Sequence, residues 1–581
     1  MSLPSACDIL VVGSGNAGFS AALSAAQHNP SAKIIIIDKC PENWGGGNSY
    51  FTAGAFRTVH DGLPDLLPLV NNVPSEKMSQ IDIPAYSAVD FMHDLQRMTG
   101  DRTDPNLSRI LVEDSRDTIG WLAENGIRFQ LSFNRQAYEV DGRFKFWGGM
   151  ALKTQDGGKG LIEDHLRAAE KHGIEVFFDT AATKLITDPR TGAVTGIEVT
   201  SRAYASDDSG SHPGQKMTIQ AKAVIMAAGG FEANPQLRAQ YLGPGWDAAR
   251  VRGSPYNTGD LLQIAQRDIF AKAVGNWSGC HSVAWDADAP AHAGDRGVSN
   301  EFTKSGYPLG IMVNRDGVRF VDEGSDMRNY TYAMIGRRIL EQPGQIAFQV
   351  WDARTTPWLR SEEYRPEVTR HLTGESLEEL ADRCVEAGLT DKERFLATLS
   401  DYNRSVPSEN FAKDKWDPAI KDGLATKGLP VPKSNWALPI DRAPFLAVRV
   451  TTGITFTFGG LSVNPDTAAV ISDATGADIP GLATACRVPS TILNTSHSHE
   501  TDVVQPDLEH GENFQSRPLI RIAMPDNLKA LIIDGGECVI KNGAVVLLPA
   551  PKPVRQIPQD CHKNLRKDVK TKRCFSHRNS W

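Results

Sequence analysis

Two groups of residues near the start of the chain have the types and spacing that phosphate and ribose recognition requires. Gly13-Ser14-Gly15-Asn16-Ala17-Gly18 sets three glycines where a chain must turn sharply, let its backbone approach a pyrophosphate, and pack the next helix close to the preceding strand. The helix that follows would aim unpaired N–H groups and a partial positive charge at the phosphates. Asp38 stands twenty positions after Gly18, where a carboxylate ending a second strand accepts hydrogen bonds from ribose hydroxyls. The elements that must hold these residues are also legible: an apolar run at 8–12, an alanine-rich helix, and a second apolar run Ile34–Ile37. Strand, turn, helix and strand with the acid in register read as a dinucleotide site contacted by Gly13, Gly15, Asn16, Ala17, Gly18 and Asp38.

A second glycine loop, Trp44-Gly45-Gly46-Gly47-Asn48-Ser49, exceeds what a nicotinamide domain needs. A flavin needs such a loop because its flat ring must lie on backbone that no side chain pushes away, which brings in Gly46, Gly47, Asn48 and Ser49. The apolar run ending Ala227-Ala228-Gly229-Gly230-Phe231-Glu232 has the strand terminus over which a ligand lies in an open sheet. Tyr256-Asn257-Thr258-Gly259-Asp260 then offers a carboxylate for ribose or ribityl hydroxyls. On these motifs the chain as far as Pro480 resembles the FAD-dependent fumarate reductase and succinate dehydrogenase flavoprotein superfamily, and within it tricarballylate dehydrogenase-like proteins.

The resemblance implies an α/β fold: a discontinuous Rossmann-like FAD-binding domain (1–277 and 437–485) with an inserted α+β capping domain (278–436) and an atypical region at 486–581. It implies noncovalent FAD, because Asn48 stands where some relatives carry a flavin-linking histidine, and it sets Thr183 near the adenine. Chemistry of this kind moves a hydride at flavin N5 and a proton at the opposite carbon, and it needs cations to hold carboxylates. By resemblance Arg328, shortly after Arg319-Phe320-Val321-Asp322-Glu323, carries the proton. His281 binds a carboxylate, and the hydroxyls of Thr455 and Thr457 meet substrate oxygens. From the residues alone, Arg328 could instead pair with Asp322, Glu323 or Asp326, His281 could be structural, and both threonines could be plain strand residues. Arg57 and Arg252 are spare cations for further carboxylates, each also readable as structural. The expected substrate is a small di- or tricarboxylic acid, dehydrogenated with electrons passed to an unidentified acceptor. A ketosteroid-dehydrogenase-like flavoprotein and an inactive homologue are the alternatives.

Among 581 residues the net charge is −8, which argues against a nucleic-acid partner. Eight cysteines without a CxxC pair suggest neither zinc nor a redox dithiol, so no metal is expected. No apolar run reaches membrane-spanning length and no apolar leader precedes the first strand; a soluble, cytoplasmic protein is the expectation. Periodicity predicts a helix over 108–125, a helix over 161–172, strands over 174–178, 181–187 and 194–199, and a hairpin of 309–313 with 319–321. An exposed loop is expected between Trp147-Gly148-Gly149 and Gly157-Gly158. Capping boxes are expected at Ser376 with Glu379 and Thr390 with Glu393. Past Pro480 the family pattern gives way to Cys486-Arg487-Val488-Pro489 and a polar run, then a hairpin around Asn542-Gly543 and a basic tail from Lys552, of a composition that is usually solvated and disordered. A frameshift, a missed intron or gene decay would account for such a break.

Overall fold

The computed structural model describes residues 2–201, 214–408, 417–485 and two strands at 538–541 and 544–547. The chain opens with β1 (Ala6–Val12), α1 (Asn16–His28) and β2 (Ile34–Ile37), continues to α2 (Gly157–Lys171), and adds β3 (Glu175–Phe177) beside β2. Leu10 to Val12 and the four isoleucines of β2 are buried, as strands covered on both faces must be. β4 (Thr180–Thr187), β5 (Val194–Ser201) and β6 (Gln215–Met226) form an antiparallel meander. The second half of β6 turns parallel to β1, so β1 lies between β6 and β2 with all three strand ends on one edge. α3 (Asp260–Ile269) packs against β4.

A second sheet follows. It contains β7 (Cys280–Asp286), β8 (Ile311–Asn314), β9 (Ala347–Trp351), β10 (Leu372–Gly374) and the long β11 (Phe445–Thr457); α4 (Arg328–Leu340), α5 (Leu377–Glu386) and α6 (Lys392–Ser405) lie among them. β11 is the organising strand: its first half pairs with β9 and β10 and its second with β7. The boundary expected at 436/437 therefore precedes a strand of the second sheet. The chain rejoins the first sheet at β12 (Ala469–Ile471) and β13 (Asp478–Thr484), the latter parallel to β6.

Several local expectations are corrected. The stretch 108–125 is two helices, Pro105–Glu113 and Ser115–Glu124, separated at Asp114. The segment between Trp147 and Gly157 is mostly buried, not exposed, because its strand Leu152–Thr154 pairs with Phe129–Leu131 and Ala55–Phe56. Residues 319–321 make one bridge, Arg319 to Val313, instead of a strand. Ser376 caps α5 through the Glu379 amide, but Asp391, not Thr390, caps α6; the Thr390 hydroxyl is committed to the Arg315 carbonyl and Asp316. Of the hairpin expected around 542–543, two strands are described, β14 (Cys538–Lys541) and β15 (Ala544–Leu547), paired antiparallel. The remaining readings past 485 lie outside the described residues.

Candidate active site

A long cleft with about 1800 Å³ of empty space, counted to its open mouth, runs across the strand ends of the first sheet. Gly13, Gly15, Asn16, Ala17, Asp38, Gly47, Asn48, Ser49, Ala228, Gly229, Gly230, Asp260 and Thr457 all line it. Gly13 has a φ of +113°, and a Cβ there would stand 2.3 Å from the Ala227 carbonyl oxygen; only glycine lets β1 and β6 end side by side. Gly18 lies behind the cleft, where a Cβ would be 1.9 Å from the Gly13 oxygen, which is the close helix-to-strand packing expected. The N-cap of α1, Gly15, offers no side chain, and the first amide, that of Asn16, is taken by Ser49 from the second glycine loop; this helix N-terminus opens on the cleft, where an anion is favoured.

Ser14 donates to Asp38 from its N–H (2.8 Å) and its hydroxyl (2.7 Å), and the Cys40 amide donates to the other carboxylate oxygen at 3.1 Å. The carboxylate thus clips the glycine turn to β2 at the ribose position. Ser49 accepts from the Asn16 amide (3.1 Å), and His165, fully buried and stacked on Phe19, bonds Asn16 Oδ1 at 2.7 Å. Burial pushes the His165 imidazole down to about 3, so it is neutral and holds Asn16 as a fixed dipole. Asn48 donates to Glu232 (2.6 Å) and to the Thr455 carbonyl, and it accepts from the Ser254 amide at 2.7 Å. Asp260 begins α3 and pairs with Lys39 at 2.6 Å. Besides Gly18, two expected contacts fall off the lining. Gly46 faces Ile162. Thr183 sits at a bulge of β4 with its hydroxyl on the Glu198 carbonyl, while Thr180 and Ala182 take the lining.

The cleft fits FAD on these observations: a helix N-terminus opening on it, a carboxylate at the ribose place, and backbone cradles at both glycine loops. The first loop and α1 would hold the pyrophosphate, Asp38 the ribose, and the 47–49 and 456–460 segments the ring.

At the ring end the wall is Phe456 and Thr457, the last residues of β11. His281 lies directly behind, fully buried, its ring 5.0 Å from Phe456 and 6.1 Å from Tyr332. Thr455 is off the lining; its hydroxyl accepts from Arg252 at 3.0 Å. Thr457 lines the cleft and accepts from the Phe231 amide at 3.3 Å. Arg328, at the first turn of α4 and 4% exposed, donates to Tyr138 Oη (3.1 Å) and to the Arg135 carbonyl, stacked against Tyr138 and Trp147. The acids that could have paired with it are taken. Glu323 binds Arg319, Asp326 binds Arg97, and Asp322 binds the Ser434 amide and hydroxyl. Arg57 is the reverse case: it pairs with Asp94 at 3.0 Å and Tyr86 at 2.7 Å, a structural cation rather than a spare one. Burial, reinforced by the like charge of Arg135, brings the Arg252 guanidinium down to about 10. Arg135 itself was missed in the sequence, having no motif around it.

A βαβ unit with this cradle, carried on through a second glycine loop to a capped ring end, defines a flavin-binding α/β protein. Residues 8–485 match the family model described as FAD binding domain, and the chain belongs to that family. It is 26% identical to the probable fumarate reductase Ifc3 of Shewanella frigidimarina (strain NCIMB 400) over 83% of this chain and 69% of that protein. It is 25% identical to the urocanate reductase of Eggerthella lenta over 82% of this chain and 69% of that one. A flavocytochrome c3 fumarate reductase solved in its open conformation shares the fold at a TM-score of 0.60 and 24% identity, over 85% of this chain and 74% of that one. The protein is an FAD-dependent oxidoreductase acting on CH–CH groups. Residues 501–579 match a second model, described as MRG, which an out-of-frame tail would not be expected to do. Among the described residues no helix is long and apolar enough to cross a membrane, and no group of three or more His, Cys, Asp or Glu could hold a metal.

Proposed function

We propose that the protein exchanges a hydride between noncovalently held FAD and a di- or tricarboxylic acid, with Arg328 carrying the proton and His281 holding a carboxylate. The observation that carries this reading is the charge state around Arg328: a buried guanidinium with no carboxylate partner among the described residues. Bound FAD would supply the hydride donor or acceptor. Arg328 is fixed by Tyr138 and the Arg135 carbonyl, a positioned donor for a forming carbanion. Thr457 faces the cleft at the Phe456 wall, and His281 stands behind Phe456. The finer likeness to tricarballylate dehydrogenases favours dehydrogenation, whereas the relatives named above are reductases; one site serves both directions. Asn48, bonded on three sides, has no nucleophilic nitrogen for a flavin link, in keeping with noncovalent FAD.

The test uses the purified holoprotein without oxygen. Bleaching of its oxidised flavin by tricarballylate or succinate, or reoxidation of the reduced flavin by fumarate, is the expected result. Turnover of 4-androstene-3,17-dione with no response to any carboxylic acid would overturn the reading, and flavin that stays on the denatured chain would overturn noncovalent attachment.

A further inference from the structure

Arg135 is 3% exposed, and its Nη1 is fully buried without a hydrogen-bond partner. Its guanidinium stands 5.6 Å over the Tyr332 ring, the same ring that faces His281 behind the Phe456 wall. The short turn that carries it, Phe133–Gln136, is pinned to the second sheet's side: Arg360 Nε donates to the Asn134 carbonyl at 2.7 Å. Two further buried cations lie within electrostatic reach: Arg328, which donates to the Arg135 carbonyl itself, and Arg252, bonded to Thr455 beside Phe456. None of the three has an ion-pair partner among the described residues. Arg252 reaches only the Thr455 hydroxyl and leaves its Nε buried and unbonded.

The neighbouring acid, Glu363, acts on them only through space. Glu363 is spent on Arg360 through one oxygen and on the Ser305 amide (2.9 Å) and hydroxyl (2.5 Å) through the other. Arg360 and Glu363 therefore close on each other, and three guanidiniums remain on neighbouring rings: Arg135 over Tyr332, Arg328 against Tyr138 and Trp147, and Arg252 over Trp285. An uncompensated buried charge costs several kcal/mol, and like charges side by side add to it. A chain keeps such an arrangement stable by binding an anion between the cations.

We propose that Arg135, Arg252 and Arg328 form one anion subsite, in which Arg135 is a specificity-determining residue that rewards each additional carboxylate on the substrate. The inference rests on the carboxylic-acid reading above and goes beyond it by assigning that selectivity to a residue outside every recognised motif.

The experiment measures dissociation constants of tricarballylate and succinate from the change each produces in the flavin absorbance of the oxidised holoprotein. Arg135→Met is expected to weaken tricarballylate by about 10- to 100-fold, the loss of a charged hydrogen bond, and succinate by much less. Arg135→Lys keeps the charge without the fork and is expected to fall between, and it keeps the test open if the methionine variant does not fold. The melting temperature should hold, since an unpaired charge is removed. Equal weakening of both acids together with a fall in melting temperature would make Arg135 structural and overturn the inference. So would unchanged affinities in both variants, and in that case the carboxylic-acid reading survives. A wild-type holoprotein that binds neither acid sinks both.

Discussion

Replacing Arg328 by Met separates a chemical role from a structural one. The substitution removes two donated hydrogen bonds, to Tyr138 Oη at 3.1 Å and to the Arg135 carbonyl. Losing them costs roughly 3–6 kcal/mol in all. The same substitution removes a buried charge that no carboxylate offsets, which returns a free energy of similar size. The two changes oppose each other, so the melting temperature is expected to move by no more than about 5 °C in either direction. Turnover should behave quite differently, because the loss of a positioned proton carrier costs about 10²–10⁴-fold. The assay pairs a thermal melt with the flavin-to-protein ratio and the anaerobic rate of flavin reduction by the acid. Activity within tenfold of wild type, with flavin bound, would remove Arg328 from the chemistry. Loss of flavin or a collapsed melting temperature would make it a structural residue.

Gly18→Ala puts a methyl 1.9 Å from the Gly13 oxygen, so the glycine turn must shift; the purified variant should be colourless and gain no flavin on titration, and a normal flavin spectrum would contradict the packing argument. Arg57→Met leaves Asp94 buried beside Tyr86 and Tyr330 with its main cation gone; it should cost about 3–5 kcal/mol in urea unfolding while leaving succinate affinity unchanged, and reduced affinity would return Arg57 to the substrate. Burial alone would push the Glu363 carboxyl up, but Arg360 and the Ser305 donors hold it below its ordinary 4.5. Its contribution to stability is therefore complete above the unfolded-state value and lost as the pH falls through the lowered folded-state value. Urea melts from about pH 5 downward should show less loss in Glu363→Gln than in wild type; parallel curves would refute the assignment.

The cofactor cradle was legible because its geometry is local. Gly13, Gly18 and Asp38 act within one βαβ unit, and a glycine forced by a neighbouring carbonyl leaves a mark in the sequence itself. Ala228 to Gly230 and Asp260 carry the same kind of mark at other strand ends. Arg135 and Arg252 bear none, since what makes them notable is a missing acid, and only the fold shows that Glu363 is already spent. Arg57 looked just as available until Asp94, on a helix more than thirty residues away, was found to face it. The helix expected over 108–125 was right in periodicity and wrong in continuity: Asp114 ends one helix and begins the next, which a hydrophobic pattern does not register. Thr390 lost its capping role to Asp391 because its hydroxyl found a partner 75 residues back.

β11 also fixes when the molecule can be completed. Its second half pairs with β7 far upstream (Thr457 with Cys280, 177 positions apart), and its last residues form the wall at the ring end of the cleft. β13 seals the other side by joining β6 across 258 positions. A nascent chain on the ribosome can build the glycine turn and α1 early, yet it has no complete flavin cleft until Thr484 has emerged. Cofactor capture is thereby tied to the end of synthesis of this unit, and fragments stopping short of β11 would present the open edge of β7 to any partner strand. Quality control acting on unpaired edges would see such fragments while the finished, flavin-loaded chain passes.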